Sequence, residues 1–129
     1  MSRNTPGISF RYLVDDVAAA VEFYELLGCE LRMHPGPGFA QLAVDGVCIN
    51  LNAVGGDGGA SQEVAGELPT PGGWNRIQLR VDDLDARLAS LAETGVGPVD
   101  GVVDGRGGRQ ALVRDPAGNL VELFEPHDA

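Results

Sequence analysis

Two stretches of this chain are copies of one another. SFRYLVDDVAAAVEFYELLG begins at Ser9 and RIQLRVDDLDARLASLAETG begins at Arg76, so an offset of 67 residues aligns them without a gap. The alignment sets Val14-Asp15-Asp16-Val17 on Val81-Asp82-Asp83-Leu84 and Gly28 on Gly95. A chain of 129 residues holding two such copies is bounded to one small domain of two related modules.

Each copy reads as a strand followed by a helix. In ISFRYLV, residues Ile8, Phe10, Tyr12 and Val14 alternate with Ser9, Arg11 and Leu13, the period of a strand with two unlike faces. The paired aspartates stand where an N-cap and a first-turn acid belong. Val17, Ala20, Val21, Tyr24 and Leu27 then recur at helical spacing up to Gly28, and Leu84, Leu88 and Leu91 do so up to Gly95. Shorter strands follow: CELRM, GFAQLAV and, past the Asp45-Gly46 hairpin signal, VCINLNA in the first copy. In the second copy they are the region around VGPV, RQALVR and, past Asp-Pro-Ala-Gly-Asn, LVELFE. The fold expected is α+β, two tandem βαβββ modules over 8–53 and 74–126. The glycine-rich 54–73 between them is read as a flexible linker or, alternatively, a lid over a cleft. GVVDGRGG lacks the G-K-[ST] ending of a phosphate loop and is read as a plain loop.

Composition removes several functions. The formal charge is −10, from 19 acidic against 9 basic residues, which opposes nucleic acid or an anionic membrane surface as partner. No apolar run approaches a membrane span and the N-terminus has no secretion-signal core, so a cytoplasmic location is expected. All nine basic residues are arginine, which excludes lysine Schiff-base chemistry. Cys29 and Cys48 do not form a C-x-x-C pair and read as small buried hydrophobes. No G-x-S-x-G elbow occurs, and neither histidine has an evident nucleophile partner.

The tandem modules, the V-D-D-[VL] and F-Y-x-x-L-G segments and D-P-x-G-N together resemble the vicinal oxygen chelate superfamily of glyoxalases, bleomycin-resistance proteins and extradiol dioxygenases. That resemblance covers residues 8–126. It implies a cup-shaped mixed sheet with helices outside, usually in a homodimer, with a small-molecule ligand in the concave face. It also implies one divalent metal, held by a histidine on the first strand of each module and a carboxylate near the end of each. In this chain those positions carry Ser9, Asn50, Arg76 and Glu122. Arginine is a permanently charged donor and cannot ligate a cation, and serine and asparagine are poor ligands for a transition metal. His34, in MHPGPG, and His127, in the tail, are expected to be solvent-exposed. No metal and no other cofactor is therefore expected.

Glu122 and Arg76 are expected to face each other across the cup as an ion pair or a ligand-gripping pair; the other reading leaves both in solvent. Strand alternation adds Arg11, Asn50, Asn52, Gln78 and Phe124 to the ligand-binding set with Ser9, and Trp74 is the one indole available to stack on a ligand, unless it serves a core or an interface. The function expected is a metal-free binding protein of the bleomycin-resistance type, sequestering an antibiotic or other small metabolite. The alternative is a divergent lyase, isomerase or dioxygenase, with Glu122 as general base or in an unorthodox metal site. Pro6 is a candidate hinge for exchange of modules between chains.

Overall fold

The structure, a computed structural model, describes residues 7–128; Pro6 lies outside them. The chain divides into two compact units, one up to Gly72 and one from Gly73 onward. The first holds β1 (Ser9–Val14), α1 (Val17–Leu26), β2 (Glu30–Gly36), β3 (Phe39–Val44) and β4 (Val47–Ala53). The second holds β5 (Ile77–Arg80), α2 (Leu84–Ala92), β6 (Val102–Asp104), β7 (Gly108–Arg114) and β8 (Leu120–Pro126).

The units share one topology. Strand order is β1-β4-β3-β2 in the first and β5-β8-β7-β6 in the second. In each, the first strand lies at one edge and runs parallel to the last, and the remaining neighbours are antiparallel. This is the mixed α+β architecture that the repeat implies. The offset between copies is 67 at the helices (Val17 against Leu84) and grows to 73 at the last strand (Val47 against Leu120), because the connections differ. β3 and β4 are joined by Asp45-Gly46 with φ of 48° and 75°, the doubly left-handed turn that matches strand twist. β7 and β8 are joined by Asp115–Asn119, where the Asp115 carboxylate accepts from the Ala117 and Asn119 backbone N–H groups, both at 2.9 Å, and from Asn119 Nδ2 at 3.0 Å. The conspicuous Asp-Pro-Ala-Gly-Asn segment is thus a self-bonded turn that aims β8.

Both helices start as their aspartates dictate. Asp16 accepts from the Ala19 N–H at 3.1 Å and Asp83 from the Ala86 N–H at 3.0 Å. Glu125, at the end of β8, also accepts the Leu84 N–H at 2.8 Å, tying α2 to its sheet. The first core gathers Val14, Val17, Ala20, Leu42, Ile49 and Leu51 with Tyr24, whose ring stacks on Tyr12 and meets Phe23 edge-on. The second core is wholly aliphatic: Ile77, Leu79, Leu84, Leu91, Val113, Val121 and Leu123. Cys29 and Cys48 are buried and free.

Three local expectations are corrected. VGPV forms no strand; the second-unit edge strand is Val102–Asp104, inside the stretch read as a loop, pairing with Arg109–Ala111 of β7. Three residues without polar alternation gave no period to detect. β2 runs on through His34 and Pro35 to Gly36, with register breaks at Leu31/Met33 and Met33/Gly36. An edge strand tolerates that proline because its missing N–H costs no ladder bond. Finally, 54–73 contains built structure: a 3-10 turn at Gly59–Ser61 and a bridge between Val64 and Glu67. The buried Ser61 hydroxyl donates to the Ala53 carbonyl at 2.5 Å, and Gln62 Nε2 donates to the carbonyls of Gly56 and Gly58.

Candidate ligand site on the second unit

In β8 the side chains of Val121 and Leu123 belong to the aliphatic core, so alternation turns Leu120, Glu122 and Phe124 to the other face. Strand register sets Gln78 of β5 and Leu112 of β7 directly beside Glu122, and Arg80 and Gln110 beside Phe124. One sheet face of this unit therefore carries the functional candidates Arg76, Gln78 and Glu122, flanked by Arg80, Gln110, Leu112 and Phe124.

Glu122 is 6 % exposed and bonded through both oxygens. Its Oε1 accepts from Arg76 Nε at 3.1 Å and Arg76 Nη2 at 3.0 Å, and its Oε2 accepts from Gln78 Nε2 at 2.6 Å. Arg76 Nη1 also donates to the Trp74 carbonyl at 3.3 Å. Arg76 and Glu122 thus do pair, but from neighbouring strand lines of one sheet and not from opposite walls of a cavity. Phe124 is half-buried, its ring tip close above Gly107 and Gly108. Trp74 is 74 % exposed, which removes it from any core of this unit. It lines a cleft of about 430 Å³ together with Val99, Asp100, Val103, Gln110 and Leu112.

The remaining candidates lie on the first unit. Arg11 Nη1 donates to Asn52 Oδ1 at 2.5 Å, and Asn50 Oδ1 accepts from Gln41 Nε2 at 2.9 Å. Gln41 was not singled out from sequence, although its register opposite Asn50 follows once the Asp45-Gly46 turn is placed. Ser9 is exposed at the start of β1, opposite Cys48 and not Asn50. A cleft of this unit, about 550 Å³, is walled by Pro35–Phe39 and Gly56–Gly58 and has Asp57 as its one charged side chain. His34 and His127 are exposed, the latter bonded to Gly105 O and Asp104.

A divalent metal does not fit the second-unit position. Three donors already converge on the Glu122 oxygens, and a guanidinium at 3.0 Å takes the place a cation would need. Among the described residues, no group of three or more His, Cys, Asp or Glu side chains lies close enough to hold a metal ion.

Two four-stranded mixed sheets, each built β-α-β-β-β with its own helix, define the class of paired-module α+β proteins. The chain belongs to the Glyoxalase/Bleomycin resistance protein/Dioxygenase superfamily, whose sequence profile matches residues 9–123. A relative of unestablished activity, Rv0887c from Mycobacterium tuberculosis strain H37Rv, is 32% identical over 132 residues, covering 94% of this chain and 75% of that protein. TnmS3, an antibiotic binding protein from Streptomyces sp. CB03234, has a similar crystal structure with a TM-score of 0.66 and 33% identity, over 92% of this chain and 93% of that one. Lactoylglutathione lyase from Agrobacterium tumefaciens has a TM-score of 0.70 at 23% identity, over 92% and 91% of the two chains, and shares the fold.

Proposed function

We propose that this chain is a small-molecule-binding protein that holds its ligand without a metal, on the face carrying Arg76, Gln78 and Glu122 and in the adjoining Trp74 cleft. The observation that carries this reading is the Arg76 guanidinium on Glu122. The carboxylate in the D-P-x-G-N-x-x-E spacing accepts from Arg76 on one oxygen and Gln78 on the other, and the fixed positive charge of Arg76 opposes a cation there. The adjoining cleft combines apolar walls with Gln110, the usual composition of a site that binds and orients a small molecule. The similarity to an antibiotic binding protein supports sequestration of an antibiotic or comparable metabolite as the role. A cytoplasmic homodimer belongs to the same reading, as does indifference to chelators; nucleic acid is not a partner on a chain of charge −10.

Native mass spectrometry of untagged protein, purified without chelator, tests it. The expected result is a dimer with no metal mass, alone or carrying a co-purified organic molecule. A dimer carrying one transition-metal ion per chain would replace sequestration by metal-dependent catalysis.

A further inference from the structure

We infer that Asp57 and Asp100 are sites of spontaneous backbone modification, at which the peptide bond to the following glycine migrates from the α- to the β-carboxyl, while Asp45 and Asp104 keep the ordinary linkage.

The sequence holds four Asp-Gly pairs, at 45–46, 57–58, 100–101 and 104–105, and glycine has no Cβ to crowd its attack on the preceding carboxyl. Residues 44–47 and 99–102 are the same tetrapeptide, V-D-G-V, so local sequence does not separate Asp45 from Asp100. In the reaction the glycine nitrogen attacks Asp Cγ, an N–Cγ bond forms, and the carboxyl hydroxyl leaves as water with the N–H proton. Water then opens the five-membered imide at the original peptide carbonyl. The C–N bond there breaks and the nitrogen takes back a proton. The chain now runs through the side-chain carbonyl and carries a free α-carboxylate. The water lost is regained, and no oxidant or co-reactant is needed.

Ring closure needs Asp Cβ and the glycine nitrogen nearly eclipsed about the Cα–C bond, and it is slowed where the glycine N–H is bonded elsewhere. Asp45 fails on conformation. Its φ of 48° puts it in the left-handed region, where ψ is about +47° and Cβ stands nearly opposite the next nitrogen. Leaving that region means undoing the two-residue turn between the paired Val44 and Val47. Asp104 fails on bonding. It pairs with Arg109 in β6, its carboxylate lies 3.2 Å from His127 Nε2, and the Gly105 N–H donates to the Gly108 carbonyl at 2.9 Å.

Asp57 and Asp100 carry neither restraint. Both are exposed and have negative φ, and among the described residues nothing accepts from the Gly58 or Gly101 N–H. The Asp57 carbonyl accepts one long bond, 3.4 Å from Gln62 Nε2, and the residue stands between two glycines. The Val99 N–H donates to the Leu112 carbonyl at 2.7 Å, and Val102 stands opposite Ala111, the adjacent residue of β7. Asp100 and Gly101 therefore loop out between them with no ladder bond to lose. Asp57 lines the cleft of the first unit and Asp100 the Trp74 cleft, so each migration inserts a methylene into a cleft wall.

Peptide mapping of aged wild-type protein tests this. The endoproteinase Asp-N cuts before aspartate and not before the rearranged residue, so a missed cut of unchanged mass counts each site. The protein is aged in mildly acidic buffer, once folded and once unfolded in urea. In the folded chain Asp57 and Asp100 are expected to convert at least about fivefold faster than Asp45 and Asp104, the factor that one retained hydrogen bond or turn adds to a barrier. In urea Asp45 and Asp100 are expected to convert within about twofold of one another, because their neighbours are identical.

Conversion of Asp45 or Asp104 as fast as Asp100 in the folded chain would overturn the inference, and so would an absence of conversion at Asp57 or at Asp100. A gap between Asp45 and Asp100 that persists in urea would overturn it too, because the fold would not be its cause.

Discussion

At the scale of single residues, the Arg76–Glu122 pair is the feature on which stability and function meet. Removing one member leaves a charge in a buried place, which is more costly than removing both. Because Arg76 is partly exposed, Arg76→Met is expected to destabilise by about 2–3 kcal/mol, at or below the lower end for buried pairs. The double variant Arg76→Met/Glu122→Met is expected to recover at least half of that loss. Urea unfolding of the single and double variants measures both, and additive losses would show the pair to be uncoupled. Gly108 is the second residue with a sharp expectation. A Cβ there would lie 2.2 Å from the Glu125 carbonyl oxygen and 2.9 Å from the Phe124 ring, so Gly108→Ala is expected to cost at least about 2 kcal/mol in the same assay. This glycine gave no signal in sequence: it sits among other glycines of GRGGRQ, and only the closeness of β7 to β8 singles it out.

At the scale of elements, local rules were strongest where residues interact with near neighbours in the chain. Asp16 and Asp83 do cap their helices, and the Asp45-Gly46 turn has the two positive φ values its composition requires. Asp83→Ala is expected to lower stability by about 1 kcal/mol in thermal unfolding, with Glu125 still holding the Leu84 N–H. Long-range pairings were the part that sequence concealed. Val102–Asp104 is a strand because β7 offers it a partner, and His34-Pro35 extends β2 because an edge strand needs few bonds. Arg109 is of the same kind: it reaches from β7 to Asp85 in the first turn of α2, 3.0 Å from Nη2 to Oδ1. Its hydrogen bonds, and then its charge, hold the Asp85 carboxyl below its ordinary value. A lowered carboxylate value contributes stability above the unfolded-state pKa, and this is lost as pH falls through the folded-state value. The pair is exposed, so the effect is expected to be small. An NMR titration of the Asp85 carboxyl should show it moving up to the ordinary aspartate range in Arg109→Gln; an unchanged midpoint would contradict the assignment.

At the scale of the whole molecule, the repeat carried most of the information. It announced two modules of one topology, and the two sheets have the same strand order. The family resemblance, not the repeat itself, marks Ser9, Asn50, Arg76 and Glu122 as the positions where metal ligands are expected. What the repeat concealed was the neighbourhood of each. Gln78 beside Glu122 and Gln41 beside Asn50 are consequences of register, and a shift by one residue would have turned both to the other face. The Trp74 cleft was less legible still, because Val99, Val103 and Leu112 come from a loop and two strands that only the folded sheet assembles.

The central claim is that a guanidinium–carboxylate pair stands on the second unit where the superfamily would lead one to expect part of a metal site. Calorimetric titration of the untagged, chelator-stripped protein with zinc, nickel and manganese ions tests it most directly. No heat beyond dilution is expected for any of the three, and the same for Glu122→Gln. Stoichiometric binding of one ion per chain that disappears in Glu122→Gln would contradict it.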